Sequence, residues 1–563
     1  MHNRLWFAVL WLGILLVLTS GSVFSAPAQW GEQIAPGIEY RRFRLTGPIN
    51  NVFVARMDRN SAANLAIESS LSGGNVADDT ETVSDMAQRF DGAINYWDRT
   101  WGNRNQVAVA INGYYFDYGT ETAYSGQIHS GWYASRFTDC ATGSGGSGFA
   151  WKLDRSVFIG NSVSHPPDKQ VVTFLDVEGE PALALDGLNV ERDDNQLILY
   201  TPQYASDTGT DNTGVEVLVE MDAPAGVTDG GMVTGTVRQI RESRGSTRIP
   251  FDHVVLSAKG NARTELLDYV RIGDQIGVSQ KIKSYKETCS TTPTGPDWTD
   301  TYASIAGAFY FLNDGDIRDF SDDSGAAARA PRTAVAYNDD YIFFIVVDGR
   351  DLAHSLGMSI GELAEFARDE LGASYGIAED GGGSSTMVIN GKVVNNTYCN
   401  INTCQHTTYI PMVARSATLD KPAAPAKEAE VSPLPTDQPD KLSADGLPLT
   451  SQYYVYSQDV DGPNLQRLVA NGLMMVVVQP RELSSGYIPG DQVKASSTTD
   501  LRLGPGSNYA ITGSPVNSGD QGTILEHANG LNGVFATGTN WWKVDFNDTV
   551  GWINENSIDL IAR

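Results

Sequence analysis

The stretch Pro331-Arg332-Thr-Ala-Val-Ala-Tyr337-Asn-Asp-Asp-Tyr341-Ile-Phe-Phe-Ile-Val-Val347-Asp348-Gly349-Arg350 decides how this chain is read. Residues 341–347 are an unbroken apolar run of strand length, the pattern of a strand buried on both faces. Ser359 and Glu362 then form an S-x-x-E capping box that opens a helix over Gly361–Leu371, and Gly372 stops it. Leu363, Phe366, Ala367 and Leu371 give that helix one apolar face. A second apolar run, Tyr375 to Ala378, leads into Glu379-Asp380-Gly381-Gly382-Gly383-Ser384-Ser385-Thr386, and Asn390-Gly391 marks a two-residue hairpin. Two strands therefore each lead into an aspartate followed by glycine. If they run parallel, joined by the helical crossover, their terminal loops lie side by side.

Outward from this core the chain is mostly short alternating runs, such as Val107 to Ile111 and Val215 to Val219, with one further helix over Val83–Phe90. The fold class is α+β: a strand-rich body with few helices, followed by a small all-β barrel. Met1 to Arg4 is basic, Leu5 to Leu18 apolar, and Ala26-Pro27-Ala28 fits a cleavage site, so residues 1–28 read as a secretory signal peptide or a retained anchor. The body runs over 29–420. Residues 421–450 are a Pro-rich linker, and 451–563 an all-β module. Export to the cell envelope or medium suits four cysteines. Cys399 with Cys404 and Cys140 with Cys289 is one of three connectivities the spacing leaves open.

The chain has 68 acidic and 40 basic residues and a net charge of −28, which excludes nucleic acid and anionic membranes as partners. The chemistry is densest at the two Asp-Gly loops. Gly381, Gly382 and Gly383 remove side chains, so backbone N–H groups can cradle an anion while Ser384 and Ser385 add hydroxyls. Arg332 and Arg350 offer bidentate contacts to phosphate or carboxylate. Arginines, a glycine loop and carboxylates suit a phosphorylated sugar. The bland alternative is a tight turn flanked by surface ion pairs.

Arg329 to Asn396 resembles the core of the phosphodiester glycosidase family, at Pro331, Arg332, Thr333, Asp348, Gly349, Arg350, Ser355, Gly357, Asp380 to Thr386 and Asn395. Ile111-Asn112-Gly113-Tyr114-Tyr115-Phe116 resembles its early asparagine-glycine-aromatic block. The chain departs from the family pattern at Glu379, where an apolar residue is usual, at Ala306 to Phe311, and at Thr407 to Pro411. The resemblance implies a hydrolase that cleaves between a sugar's anomeric carbon and a phosphodiester oxygen. In that reading Asp380 is the catalytic carboxylate with Asp348 or Glu379 as partner. Arg332, Arg350, Ser355 and the Gly381–Ser385 loop bind phosphate or sugar, and Asn112 and Asn395 take sugar hydroxyls.

Leu501-Arg-Leu-Gly504-Pro-Gly506, Trp541-Trp542 and Gly551-Trp552-Ile553 resemble a bacterial Src-homology-3-like domain over about 490–561, which implies attachment to cell wall. No cofactor is expected. A divalent cation such as calcium between Asp348 and Asp380 is left open, and Asp207 to Gly214 resembles part of a calcium loop but lacks the distal bidentate acid, so a solvated turn is favoured there. The competing reading is a non-catalytic envelope protein that binds glycans or phosphopolymers through the same residues. In either case an anionic ligand meets an acidic protein, so Arg329, Arg332 and Arg350 must reverse the field locally.

Overall fold

In a computed structural model, the residues described are 30–406 and 465–563, without 77–79, 118, 141–146, 229, 287–288, 290–291, 401–403 and 514, together with the backbone strand Tyr454–Tyr456. The expected signal peptide and Pro-rich linker lie outside them, as do the side chains of Cys399 and Cys404. Strands dominate, and the α-helices among the described residues are Val83–Phe90, Asn261–Tyr269, Ser324–Ala327 and Ile360–Asp369. This is the strand-rich α+β class read from the sequence.

The sheet that carries the Asp-Gly loops runs Glu32–Ala35, Ile38–Thr46, Ile49–Asp58, Tyr341–Val347, Arg332–Tyr337, Tyr375–Ala378, Phe309–Asn313, Asp316–Ile317. Tyr341–Val347 and Tyr375–Ala378 both pair antiparallel with Arg332–Tyr337. They are therefore parallel to each other with one strand between, and the helix Ile360–Asp369 makes the crossover. Its Ser359–Glu362 capping box is formed reciprocally. Ile360, Leu363 and Ala367 bury against Ala334, Phe343 and Ile345 on one face of the sheet. Val335, Phe344 and Val346 bury on the other face against a second sheet, so the 341–347 run is covered on both sides.

That second sheet runs Lys392–Val393, Met387–Ile389, Thr100–Asn112, Asn471–Gln479, Leu65–Leu71. Asn390 and Gly391 both take positive φ in the hairpin turn, as a two-residue loop of this type requires. Residues 471–479 were expected in the C-terminal module. Instead they form an interior strand of the body, antiparallel to both Thr100–Asn112 and Leu65–Leu71. Leu473, Met474, Met475 and Val476 are all buried there. An apolar strand covered on both faces looks the same in sequence whichever sheet it completes, so its distance along the chain concealed its place.

A five-stranded sheet (Val157–Ile159, Phe149–Lys152, Thr301–Ile305, Gln127–His129, Trp132–Ser135) and an eight-stranded sheet built around Val215–Met221 and His253–Ala258 complete the body. A disulfide joins Cys140 to Cys289. The last residues form a six-stranded unit around Thr539–Phe546, with its own core of Val493, Leu501, Trp542 and Ile553. Its Trp541 and Trp552 join the body's cluster with Trp132 and Phe251.

A chain cut after Asp420 loses the interior strand Asn471–Gln479 and exposes the backbone of two neighbouring strands. It is expected to show no cooperative thermal transition in near-ultraviolet circular dichroism, whereas the full chain does. A cooperative transition in the shortened chain would contradict this placement.

Candidate functional site

The register 334↔378 between Arg332–Tyr337 and Tyr375–Ala378, carried two residues on, sets Arg332 opposite Asp380 at the sheet's end. The neighbouring register puts Arg332 opposite Val347, one residue before Asp348. Both Asp-Gly loops thus leave the same edge, with Arg332 between them.

The loop after Asp380 is a single 3-10 turn, Gly382–Ser384. Its amides are mostly engaged within the protein. Gly382 N–H donates to the Pro331 carbonyl at 2.9 Å, and Ser384 and Ser385 N–H to Gly381 and Gly382 carbonyls at 3.3 Å. The expected fan of open N–H donors is therefore not formed, because the turn closes on itself. What the glycines permit is close approach. A Cβ on Gly381 would stand 2.7 Å from the Pro331 carbonyl oxygen and 3.8 Å from an Arg332 guanidinium nitrogen. One on Gly382, whose φ is +63°, would stand 3.7 Å from both terminal nitrogens of Arg350. One on Gly383 would lie 3.2 Å from Cζ of Arg467. Three arginines thus lie alongside three consecutive glycines, and only Arg467 is tighter than ordinary van der Waals contact.

Arg467 was missed in the sequence because it lies beyond the Pro-rich stretch, in the strand Leu465–Arg467 that pairs with Cys404–His406. Arg350 holds a left-handed backbone, φ 61°, and lays its guanidinium 4.9 Å from the Tyr398 ring centre. Arg332 is buried, and donates to the carbonyls of Met358 (2.9 Å), Gly325 (3.0 Å) and Ala328 (2.5 Å). Burial and the nearby Arg350 charge both lower its pKa, opposed by Tyr115. Arg329 does not join them. It pairs with Glu362 of the capping box and donates to the Gly357 carbonyl.

Three carboxyls occupy this edge. Asp380 is buried, which raises its pKa, while the Ser384 hydroxyl that donates to its Oδ2 and the Arg467 charge pull it down. Glu379 is fully buried, and neither of its oxygens has a hydrogen-bond partner among the described residues. Burial, then the neighbouring Asp380 charge, pushes its pKa well above the carboxylate range, which favours its neutral form. Asp348 is pushed up to about 7 by burial, against hydrogen bonds from Asn395 Nδ2 (3.3 Å) and Asn396 N–H (3.0 Å). It faces a separate small hollow with Arg42, Arg44 and His354. Tyr115 completes the Asp380 side: burial and the Asp380 charge push its hydroxyl up to about 12, opposed by Arg332.

The two asparagines expected to bind sugar are structural pins. Asn112 Nδ2 donates to the Asp380 carbonyl at 2.8 Å, and its oxygen accepts from Thr333 Oγ1 (2.7 Å) and Thr386 N–H (3.1 Å). Asn395 donates to Asp348 and to the Ser385 carbonyl, and accepts from Met387 N–H. Both are buried, so burial and saturation remove them from substrate contact. Ser355 is likewise spent, donating to the Asp348 carbonyl at 2.7 Å and accepting from Asn51 N–H. His354 is exposed and pairs with Asp351. In the loop Asp207 to Gly214, Asp211 pairs with Arg192 and Lys259, and Asp207 with Arg248. Among the described residues, the two groupings of three metal-ligand side chains, Asp139–Cys140–Cys289 and Glu220–Asp252–His527, lie elsewhere.

Residues 226–410 match the family model of the phosphodiester glycosidases. No curated protein matches the sequence. Among solved structures, a hypothetical protein from Synechocystis is 16% identical, with a TM-score of 0.38, over 64% of this chain and 59% of that one, under two thirds of its length. The zebrafish N-acetylglucosamine-1-phosphodiester alpha-N-acetylglucosaminidase catalytic domain, auto-inhibited by its pro-peptide, is 13% identical, with a TM-score of 0.29, over 65% of this chain and 77% of that one. At these scores the superpositions carry no assignment of activity.

Asp348 gives a pH test. Its pKa of about 7 in the fold stands above the roughly 4 of an unfolded chain. Folding therefore favours its protonated form: that stability is present in full below about pH 4 and is lost as pH rises through about 7. Asp348→Asn cannot ionise and keeps an oxygen for Asn395 and Asn396. It should lose less melting temperature than the unaltered protein between roughly pH 5 and pH 8 in paired calorimetric scans. An equal or larger loss contradicts the assignment.

Proposed function

We infer that this chain, with its phosphodiester glycosidase family domain over residues 226–410, hydrolyses the bond between a sugar's anomeric carbon and a phosphodiester oxygen. The observation that carries the reading is the convergence of Arg332, Arg350 and Arg467 on Gly381–Gly383 beside the Asp380 carboxyl. Guanidinium groups match phosphate oxygens in geometry and charge. The three would hold the phosphodiester, with the anomeric carbon toward Asp380 and Tyr115.

The C–O bond then breaks with its electron pair leaving on the phosphate oxygen, where the arginines stabilise the growing charge. The resulting oxocarbenium-like centre is faced by Asp380, which takes the proton of the attacking water. Ser384 orients that carboxylate through its hydrogen bond. Glu379, protonated and without solvent access, is read as a neutral neighbour that keeps Asp380 from facing a second negative charge. Activity then rises with pH as Asp380 ionises. Export is supported by the Cys140–Cys289 disulfide and by the apolar N-terminal segment, and envelope glycans are the substrates an exported enzyme of this kind would meet. No helix among the described residues is long and apolar enough to cross a membrane. The C-terminal unit is read as the Src-homology-3-like attachment module.

Asp380→Asn should reduce turnover of a sugar-1-phosphodiester panel below detection with the melting temperature kept. Unchanged turnover would remove Asp380 from the chemistry. If no panel member is cleaved by the unaltered protein but one binds, the protein is a binder. Arg467→Ala should weaken KM about tenfold, the loss expected for one charge-assisted contact. An unchanged KM would take Arg467 out of the site.

A further inference from the structure

Residues 115–117 and 122–124 run antiparallel. Tyr124 N–H donates to the Tyr115 carbonyl and Asp117 N–H to the Thr122 carbonyl, each at 2.9 Å. Phe116 pairs with Ala123, so Tyr115 and Tyr124 stand opposite each other, with side chains on one face. Both are exposed, at 36% and 50%, which leaves their rings open to a ligand. Tyr115 stands on the Asp380 side. The returning limb, Glu121 to Ala123, forms one wall of a hollow of about 320 Å³. Ala470 on another wall is followed by Asn471, which accepts from the N–H groups of Gly113 and Tyr114, each at 2.9 Å. The Gly113 carbonyl in turn accepts from Asp380 N–H at 2.9 Å. The hollow is thus tied through Asn471 and Gly113 to the Asp380 backbone, yet none of its walls belongs to the Gly381–Ser385 loop.

Leu71, Val76 and Val190 give the hollow an apolar side, and its charged side chains are Arg136, Asp186 and Glu121. Arg136 is half-buried and its side chain makes no hydrogen bond or ion pair among the described residues. Burial lowers its pKa, opposed by Tyr133 and Asp186. Asp186 is exposed and accepts from Leu197 N–H at 2.7 Å through Oδ2, which leaves Oδ1 to accept from a ligand. Glu121 is exposed as well.

A half-buried guanidinium without a protein partner needs water or a polar ligand beside it. One cation against two carboxylates leaves the lining net negative, so a second phosphate is repelled there. A polyol is not. Its hydroxyls donate to the carboxylates and accept from the guanidinium, and its C–H face packs on the apolar side. The volume lies within the roughly 300–1,000 Å³ of small-molecule clefts. We propose that this hollow is a subsite for a neutral sugar residue beyond the one bonded to the scissile phosphodiester, with the exposed rings of Tyr115 and Tyr124 as the surface the glycan crosses. It rests on the phosphodiester glycosidase reading and narrows the substrate class to an oligosaccharide or polysaccharide.

Saturation-transfer nuclear magnetic resonance of the full chain with the neutral disaccharides maltose, cellobiose and N,N′-diacetylchitobiose tests it. The variants are Arg136→Met, which keeps the apolar stem, and Asp186→Asn, which keeps an oxygen for Leu197 N–H. At least one disaccharide should bind, about tenfold more weakly in each variant that keeps its melting temperature, the loss of one charge-assisted hydrogen bond. No binding by the unaltered protein would mean that the hollow holds only water, and equal binding in a folded variant would place the sugar elsewhere. Either result overturns the proposal. Failure of the glycosidase reading looks different: disaccharide binding that weakens in the variants, with no phosphodiester cleaved.

Discussion

Three guanidinium groups lie against one loop, and the positive charge they gather beside the Asp380 carboxyl is the constraint on which the site depends. Burial lowers the pKa of Arg332, Tyr115 opposes it, and the Arg350 charge adds a smaller lowering. Glycine at 383 makes room for Arg467, since a Cβ there would stand 3.2 Å from its Cζ, while Gly381 is required by the Pro331 carbonyl, 2.7 Å from where its Cβ would be. In a chain of net charge −28 the surrounding field attracts cations and repels anions. An anion seated at this loop would meet the local positive charge while escaping the global repulsion.

The fold supplies the scaffold for that arrangement through two ladders and two amides. Arg332–Tyr337, antiparallel to both of its neighbours, brings the ends of Tyr341–Val347 and Tyr375–Ala378 to one edge. Asn112 then ties the Asp380 backbone to Thr333 and Thr386, and Asn395 ties Asp348 to Ser385 and Met387. Buried amides with every donor and acceptor engaged fix a loop far more tightly than apolar packing does, because any displacement strands a polar group. The carboxyl and the arginines are thus held by main-chain geometry rather than by contacts to one another.

Much of this was legible in the residues. The apolar run 341–347, the Ser359–Glu362 box and the Asn390–Gly391 turn are local signals, and each formed at the expected place. Asp348, Asp380, Arg332 and Arg350 were also recognisable, since Asp-Gly loops and nearby arginines are local patterns. What failed was long-range or depended on saturation. Arg467 and the strand Asn471–Gln479 return to the body from beyond a Pro-rich stretch, and nothing in their own sequence says where they dock. Asn112, Asn395 and Ser355 are polar residues of a kind that binds sugar, and only their internal partners show them to be spent. Arg329 sits in the same run as Arg332, yet the capping-box glutamate draws it away.

The central claim is that the phosphodiester group sits at the three arginines and not at the neighbouring basic hollow, where Arg42 and Arg44 face Asp348. A crystal structure of the full chain with a non-hydrolysable phosphonate analogue of a sugar-1-phosphodiester tests this most directly. The account predicts phosphonate oxygens within hydrogen-bond distance of Arg332, Arg350 and Arg467, with the anomeric carbon facing Asp380. A phosphonate bound between Arg42 and Arg44, or anywhere away from Gly381–Gly383, would contradict it.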